Sequence, residues 1–146
     1  MKNIWFVLCG RAVIDQMTNA LTLQECIDEL TVTFNEPADM QKEIKEVPMN
    51  FMAVNLWHDE NIATERTLDY QVEILDPQGI QSGSFTVSAK FEVGKKRLRT
   101  IAQIGGLKLT TEGKYLFKTK YKNEAGAFVE AAEVPIDVKF VLNIKK

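Results

Sequence analysis

Alternation of apolar and polar residues with a period of two is the feature that most restricts the fold of this chain. In "KYLFKTKYK", Tyr115, Phe117, Thr119 and Tyr121 point one way, and four lysines with one leucine point the other. Short apolar or alternating runs recur along the sequence and are separated by turn residues, not by long helical patterns. They amount to seven to nine strands, which predicts an all-β fold, an antiparallel β-sandwich.

Two tight turns can be placed between predicted strands. The segment "DPQG" at 76–79 has Asp, Pro and Gly at favourable turn positions. We predict "NEAG" at 123–126 as the loop of a second hairpin, which would put Tyr121 opposite Phe128 and Phe117 opposite Ala132.

One segment, "NEPADMQKEIKEVP", breaks the strand pattern. Asn35 is able to cap a helix there, and Pro37 suits a first helical position. We expect one short helical or irregular excursion near residues 37–46.

The opening "MKNIWFVLC" raises the question of export. A secretory signal needs roughly 7–15 apolar residues and a small-residue cleavage site, whereas only the six residues from Ile4 to Cys9 are apolar before Gly10 and Arg11. No other stretch approaches the roughly 18 apolar residues that indicate a membrane span. We therefore predict a first strand, a cytoplasmic location and no membrane contact.

Length and cysteine content also restrict the chain. With 146 residues, of which 45% are hydrophobic, the sequence predicts a single domain over residues 1–146. The two cysteines are too few for a disulfide framework, so we interpret Cys9 and Cys26 as reduced, buried thiols. A single bridge between them stays open if their strands pair.

A second apolar run, "MNFMAVNLWH", is apolar on both of its alternating sets. The sets are Phe51, Ala53 and Trp57 on one face, and Met52, Val54 and Leu56 on the other. Such a strand is covered on both sides, by the core on one and by another element or subunit on the other. This motivates the hypothesis of a homo-oligomer interface.

The segment "LKLTTEGKYLF" is similar to the corner of an immunoglobulin-like sandwich. The pattern is carried by Leu109, Glu112, Gly113 and Tyr115. In such corners the Tyr hydroxyl bonds to backbone a few residues upstream. The departure lies at Phe117, where antibody domains carry a disulfide cysteine.

The whole layout resembles a family of small uncharacterised bacterial proteins with an immunoglobulin-like β-sandwich. The resemblance is carried by the start ending in Cys9 and by three segments: "EILDPQG", "RTIAQIGGLKLTTEGKYLFKTKY" and "AAEVPIDV". It implies a bacterial origin and an immunoglobulin-like fold, and it carries over no catalytic residue.

The residues that usually carry chemistry are sparse. His58 is the only histidine, and its neighbours in "HDE" alternate between opposite faces of a strand, which disfavours a cation site. Neither cysteine has a histidine nearby or a second cysteine at the spacing of metal ligands. We predict no catalytic, cofactor-binding or metal-binding residue and a non-enzymatic protein. The alternative is a metal- or thiol-dependent enzyme that uses His58, Cys9 or Cys26.

Basic residues concentrate between positions 90 and 122, where ten stand against two acidic ones. The candidate basic surface comprises Lys95, Lys96, Arg97, Arg99, Lys118, Lys120 and Lys122. Such residues can neutralise phosphates. An immunoglobulin-like layout, however, would put the two strands that carry them in different sheets, and the aromatic residues face away from the lysines. Nucleic-acid or polyanion binding is therefore kept as an alternative hypothesis.

The main hypothesis for the function is a non-enzymatic protein-binding or scaffolding module without a cofactor. Its partner would be another protein or a second copy of the chain. This prediction rests on the missing chemistry and on analogy, because a fold alone does not determine function.

Overall fold

The structure, a computed structural model, describes residues 1–143. These residues form nine strands in two sheets and one helical turn, which confirms the all-β prediction. In chain order the elements are β1 (Lys2–Ile14), β2 (Leu21–Cys26), β3 (Glu29–Phe34), α1 (Pro37–Met40), β4 (Lys45–His58), β5 (Arg66–Leu75), β6 (Gln81–Phe91), β7 (Arg97–Leu109), β8 (Gly113–Lys122) and β9 (Phe128–Leu142).

The two sheets pack face to face. One has the strand order β2-β1-β4-β7 and the other β3-β9-β8-β5-β6. Between them, the ring of Phe51 on β4 meets that of Phe117 on β8 at 6.1 Å, and Trp57 lies 5.2 Å from Tyr70 on β5. This is the geometry of a β-sandwich, with its core between the sheets. The immunoglobulin-like assignment stays a prediction.

One strand pair departs from the expected antiparallel pattern. β3 runs parallel to β9, with Glu29 opposite Asp137 and Phe34 opposite Leu142. The two residues between β2 and β3 move the chain from the edge of one sheet to the edge of the other. β3 therefore pairs with β9 without being joined to it by a hairpin. Only strands joined by a tight turn must be antiparallel, so β3 can run parallel to β9.

The turn at 76–79 forms as predicted. The carboxylate of Asp76 accepts hydrogen bonds from the N–H groups of Gln78 at 3.0 Å and Ile80 at 2.9 Å. Gly79 has a φ of 81°, a conformation that glycine adopts without strain. This turn brings β5 and β6 into an antiparallel pair.

The predicted register of the β8–β9 hairpin is wrong. Phe117 lies opposite Val134, not Ala132, and Tyr121 lies opposite Val129, not Phe128. The loop is longer than expected because the N–H of Asn123 bonds to the carbonyl of residue 127. A bulge at Thr119/Lys120 adds a second residue. Beyond the bulge the pairing differs from the predicted one by two residues, so the side chains that were predicted to share a face still do.

The excursion near residues 37–46 contains only one helical turn. Pro37 starts it, as predicted. The proposed cap at Asn35 is wrong, because Glu36 holds the N-cap position and makes no side-chain cap bond within residues 1–143. Asn35 instead accepts a long contact of 3.4 Å from the amide of Asn143.

The opening segment is a strand whose Phe6, Leu8 and Cys9 are buried. The second thiol contradicts the prediction, since Cys26 is exposed. It ends β2, which is an edge strand of its sheet among the described strands. The single helical turn is also far too short to cross a membrane, so residues 1–143 hold no candidate membrane-spanning helix.

Candidate functional site

The outer half of the β1–β2 hairpin extends beyond the other two strands of its sheet. β1 pairs with β4 only as far as Cys9, and residues 11–14 pair with β2 alone. The change falls at Gly10, where a β-carbon would lie 3.2 Å from the β-carbon of Glu25. Glycine suits this position because a β-carbon there would crowd the side chain of Glu25 on the neighbouring strand.

The tip of this hairpin is held by a short polar turn. The carboxylate of Asp15 accepts hydrogen bonds from the N–H of Met17 at 2.8 Å and of Thr18 at 3.1 Å. The hydrogen bonds from Thr18 and Met17 lower the pKa of Asp15. Asn19 follows in the left-handed conformation with a φ of 58°, which asparagine tolerates better than most residues.

The hairpin lies across the outer face of the four-stranded sheet. Arg99 on β7, at the far edge of that sheet, donates a 2.8 Å hydrogen bond to the carbonyl of Asn19. Val54 on β4 is 0% exposed although it alternates with the core residues Ala53 and Asn55 and so faces outward. Within the outer apolar set of β4, Val54 is fully buried, whereas Met52 and Leu56 are only half-buried.

A cleft of about 580 Å³ lies between the hairpin and the sheet. We call it the hairpin cleft, and it is lined by Trp5, Asn19, Leu21, Leu23, Leu56, Arg97, Leu98 and Arg99. Within residues 1–143 no acidic side chain lines it. Five of its eight lining residues are apolar, and the other three are Asn19 and the two arginines. This combination suits an apolar body carrying an anionic group.

The guanidinium groups of the hairpin cleft have no carboxylate partner in residues 1–143. Arg97 donates through Nε to Nδ1 of His58 at 2.8 Å. His58 in turn donates through Nε2 to Glu60 at 2.7 Å. This bond lowers the pKa of Glu60, and the charges of Lys96 and Arg97 lower it further. Within the described part of the chain, the one hydrogen bond of the Arg99 guanidinium goes to the carbonyl of Asn19.

His58 consequently has both ring nitrogens engaged by side chains. A metal ligand needs a free nitrogen lone pair, whereas Nδ1 accepts from Arg97 and Nε2 contacts Glu60. In the part of the chain that the structure describes, no three His, Cys, Asp or Glu side chains are grouped as a metal site would require.

The predicted basic residues are divided between the two sheets. Arg97 and Arg99 are on β7 of one sheet, and three of the lysines are on β8 of the other: Lys118, Lys120 and Lys122. Lys120 pairs with Glu73 at 2.6 Å, and Lys118 approaches Glu130 and Glu133 at 3.5 and 3.7 Å. Lys96 lies 3.8 Å from Glu60, while Lys95 carries no ion pair in residues 1–143. The seven residues therefore do not form one surface.

The corner residues form a connected hydrogen-bonded unit. The hydroxyl of Tyr115 donates to the carbonyl of Thr111 at 2.7 Å and accepts from the N–H of Thr110 at 2.9 Å. Leu109 is fully buried, and the carboxylate of Glu112 accepts a 2.6 Å bond from the N–H of residue 140. The role of these residues is structural.

Sequence reasoning missed the buried polar groups. Asn55 is 0% exposed and accepts from the amide of Asn3 at 2.8 Å and from Thr119 at 3.3 Å. Beside it lies the hydroxyl of Tyr70, whose pKa is raised by burial. The signal was an asparagine on the inward set of an otherwise apolar strand, between Ala53 and Trp57.

Comparisons with known proteins add no assignment. No protein-family model and no curated protein matches the sequence. The resemblance to a bacterial family therefore stays a prediction. The hairpin cleft, with its unpaired arginines, is the site on which a function can be argued.

Proposed function

We propose that this chain is a non-enzymatic, cytoplasmic protein-binding module of bacterial origin that binds its partner in the hairpin cleft. The observation that carries the proposal is the pair of guanidinium groups, on Arg97 and Arg99, which face an apolar cleft without a carboxylate partner in residues 1–143. Unpaired guanidiniums beside apolar surface are favourable contacts for a carboxylate, because Arg can bind it through two parallel bonds.

The partner chemistry follows from the lining. Trp5, Leu21 and Leu56 supply apolar contact, and an arginine is among the residues that most often dominate binding energy at protein interfaces. Small polar ligands need several converging polar groups to fix their orientation, which the cleft offers only at its arginines. An extended protein segment with Asp or Glu next to an aliphatic or aromatic residue meets both conditions.

A random-peptide display selection against the immobilised full chain tests this proposal. We expect the selected peptides to share an acidic residue beside a Leu, Ile or Phe. Replacing both arginines, Arg97→Gln with Arg99→Gln, should weaken their binding about tenfold or more, because the peptide carboxylate loses its charged partners. Glutamine removes the positive charge and keeps a polar amide on a shorter side chain.

The matched control is Lys118→Gln with Lys120→Gln, which removes two cations from the other sheet. Those lysines already pair with Glu130, Glu133 and Glu73, so peptide affinity should stay unchanged. Selected peptides without an acidic residue, or equal binding to both double variants, would contradict the proposed site.

Polyanion binding is the second candidate, and the same arginines favour it. They follow Lys95 and Lys96 in sequence, and three of these four residues have no carboxylate partner in residues 1–143. It predicts affinity for generic nucleic acid that falls steeply with salt. Absence of duplex and single-strand binding at low salt, together with retained peptide binding, separates the two candidates.

A further inference from the structure

The two cysteines lie directly opposite each other in the β1–β2 pair. Cys9 and Cys26 are register partners. The N–H of Ile27 bonds to the carbonyl of Leu8 at 2.8 Å, so the flanking pair is hydrogen-bonded and the cysteine pair is of the non-hydrogen-bonded type. Residues of that type have α-carbons about 4.5 Å apart and side chains on the same face. That spacing falls in the range from which a disulfide closes, about 4.4–6.8 Å.

The two thiols differ in access. Both are free, but Cys9 is buried under the sheet surface and Cys26 is exposed at the end of an edge strand. Burial, and then the neighbouring Cys26, raise the pKa of the Cys9 thiol. Cys26 is therefore the thiol that a reagent in solution meets first, and Cys9 is placed to react with whatever forms on Cys26.

We propose that Cys9 and Cys26 form a reversible cross-strand disulfide by exchange with a low-molecular-weight disulfide. The Cys26 thiolate attacks one sulfur of that disulfide, its S–S bond breaks, and one thiolate leaves and takes up a proton. Cys9 then loses its proton and attacks Sγ of Cys26, which releases the second small thiol. The protein loses two electrons and two protons, and the small disulfide gains both as two thiols.

The bond would fix the base of the hairpin that covers the hairpin cleft. Among the strands of residues 1–143, β2 pairs with β1 alone, so the disulfide would tie this edge strand covalently to the sheet. This modification site goes beyond the proposed function and does not depend on it, because it rests on strand register and exposure alone.

Treating the reduced full chain with oxidised glutathione and reading its intact mass tests the inference. We expect a monomer that has lost two hydrogens and both alkylatable thiols, with a peptide map linking the Cys9 and Cys26 segments. Reduction with dithiothreitol should restore both thiols. In Cys26→Ala, the remaining buried thiol should react only after unfolding.

A second variant covers the case in which one substitution disturbs folding. Cys9→Ala should accumulate a mixed disulfide between glutathione and Cys26, because the attacking thiol is gone. The inference is overturned if the unaltered chain itself stops at that mixed disulfide, dimerises through Cys26, or keeps both thiols in excess oxidised glutathione.

Discussion

At the scale of single residues, the hydroxyl of Tyr115 is the most informative atom of the corner. Tyr115→Phe removes a buried hydroxyl that accepts from the N–H of Thr110 and donates to the carbonyl of Thr111, so both backbone groups lose their side-chain partner. We expect a loss of about 1–3 kcal/mol in the free energy of unfolding, measured by urea titration. The control is Tyr121→Phe on the same strand, where the hydroxyl makes no hydrogen bond within residues 1–143. Equal losses in the two variants would contradict this role.

Gly113 is the second residue with a sharp expectation. Its φ is 137°, and a β-carbon there would lie 3.0 Å from the ring carbons of Pro77. Gly113→Ala combines backbone strain with a clash and should cost about 1–3 kcal/mol in unfolding free energy. Gly79→Ala, at a φ of 81° with no atom within 4 Å, isolates the backbone part and should cost less. A larger loss in Gly79→Ala would refute the clash.

How well single residues can be predicted from the sequence depends on how local their partners are. The corner was visible because Tyr115 bonds to backbone four and five residues upstream. Lys45 was not, because its ammonium donates to the carbonyl of Thr110, 65 residues away. Cys26 was misjudged because its exposure depends on strand order, which composition does not encode.

At the scale of elements, Arg66 joins three segments at one end of the sandwich. It donates to Asp59 at 3.0 Å and to the carbonyl of Lys95 at 2.7 Å, and it lies over the ring of Phe91. Burial acts to raise the pKa of Asp59, but the hydrogen bond from Asn61, the charge of the N-terminal ammonium and the contact with Arg66 outweigh it, so the pKa is lower than the usual 3.8.

This predicts a pH-dependent contribution to stability. A carboxyl group whose pKa is depressed in the folded state stabilises the fold above its unfolded pKa, and this is lost as pH falls through the folded pKa. Asp59→Asn should therefore cost about 1–2 kcal/mol at neutral pH, and the difference from the unaltered chain should shrink below pH 3.8. Chemical unfolding across that range measures it. A difference that stays constant with pH would contradict the ionic contribution.

Lys45 anchors the helical excursion to the corner between β7 and β8. It is 7% exposed and donates to the carbonyls of Lys42 and Thr110, both at 2.6 Å. Lys45→Met keeps the apolar stem but leaves both carbonyls without their donor, so we expect a loss of about 1–3 kcal/mol and faster amide exchange over residues 37–44. Lys42→Met removes only an exposed pair with Asp39 and should change stability by about 1 kcal/mol or less. Equal exchange rates in the two variants would contradict the anchor.

The elements were predictable from the sequence, but their pairing was only partly so. Alternation identifies which side chains of β8 and β9 share a face, and the observed shift of two residues beyond the bulge preserves it. The number of loop residues and the bulge depend on individual hydrogen bonds, such as that of Asn123. The double apolar pattern of β4 predicted that both faces are covered, whereas only Val54 of its outer apolar set is fully buried.

At the scale of the whole molecule, the outer apolar set of β4 that suggested a homo-oligomer is only partly buried, because Met52 and Leu56 are half-buried and Val54 alone is fully buried. The bond from Arg99 to Asn19 holds the hairpin beside this set within one chain, so we expect the full chain to be a monomer by light scattering at high concentration. A stable dimer would require the hairpin to leave the sheet or a different surface to pair. Replacing Arg99 with Gln should not alter the measured mass, because the hydrogen bond to Asn19 is within one chain.

The fold class was predictable because periodicity and turn residues are local features of the sequence. The candidate site was predictable only in part. Arg97 and Arg99 were expected to share a face because they stand two residues apart in a strand. That they lack carboxylate partners while Lys118 and Lys120 have them depends on which strand lies beside each, such as Glu73 on β5 opposite β8. The hairpin cleft itself arises only when distant segments meet.

The most direct test of the hairpin cleft is an NMR titration of the full chain with an acidic, apolar peptide from the display selection. The chain has two tryptophans, so two indole N–H signals report on two places. Trp5 lines the cleft, and Trp57 is buried with its N–H bonded to Thr100 at 3.1 Å. We predict that the Trp5 signal shifts while the Trp57 signal stays. Saturable binding that moves the β8 lysine strand and leaves Trp5 unchanged would contradict the account.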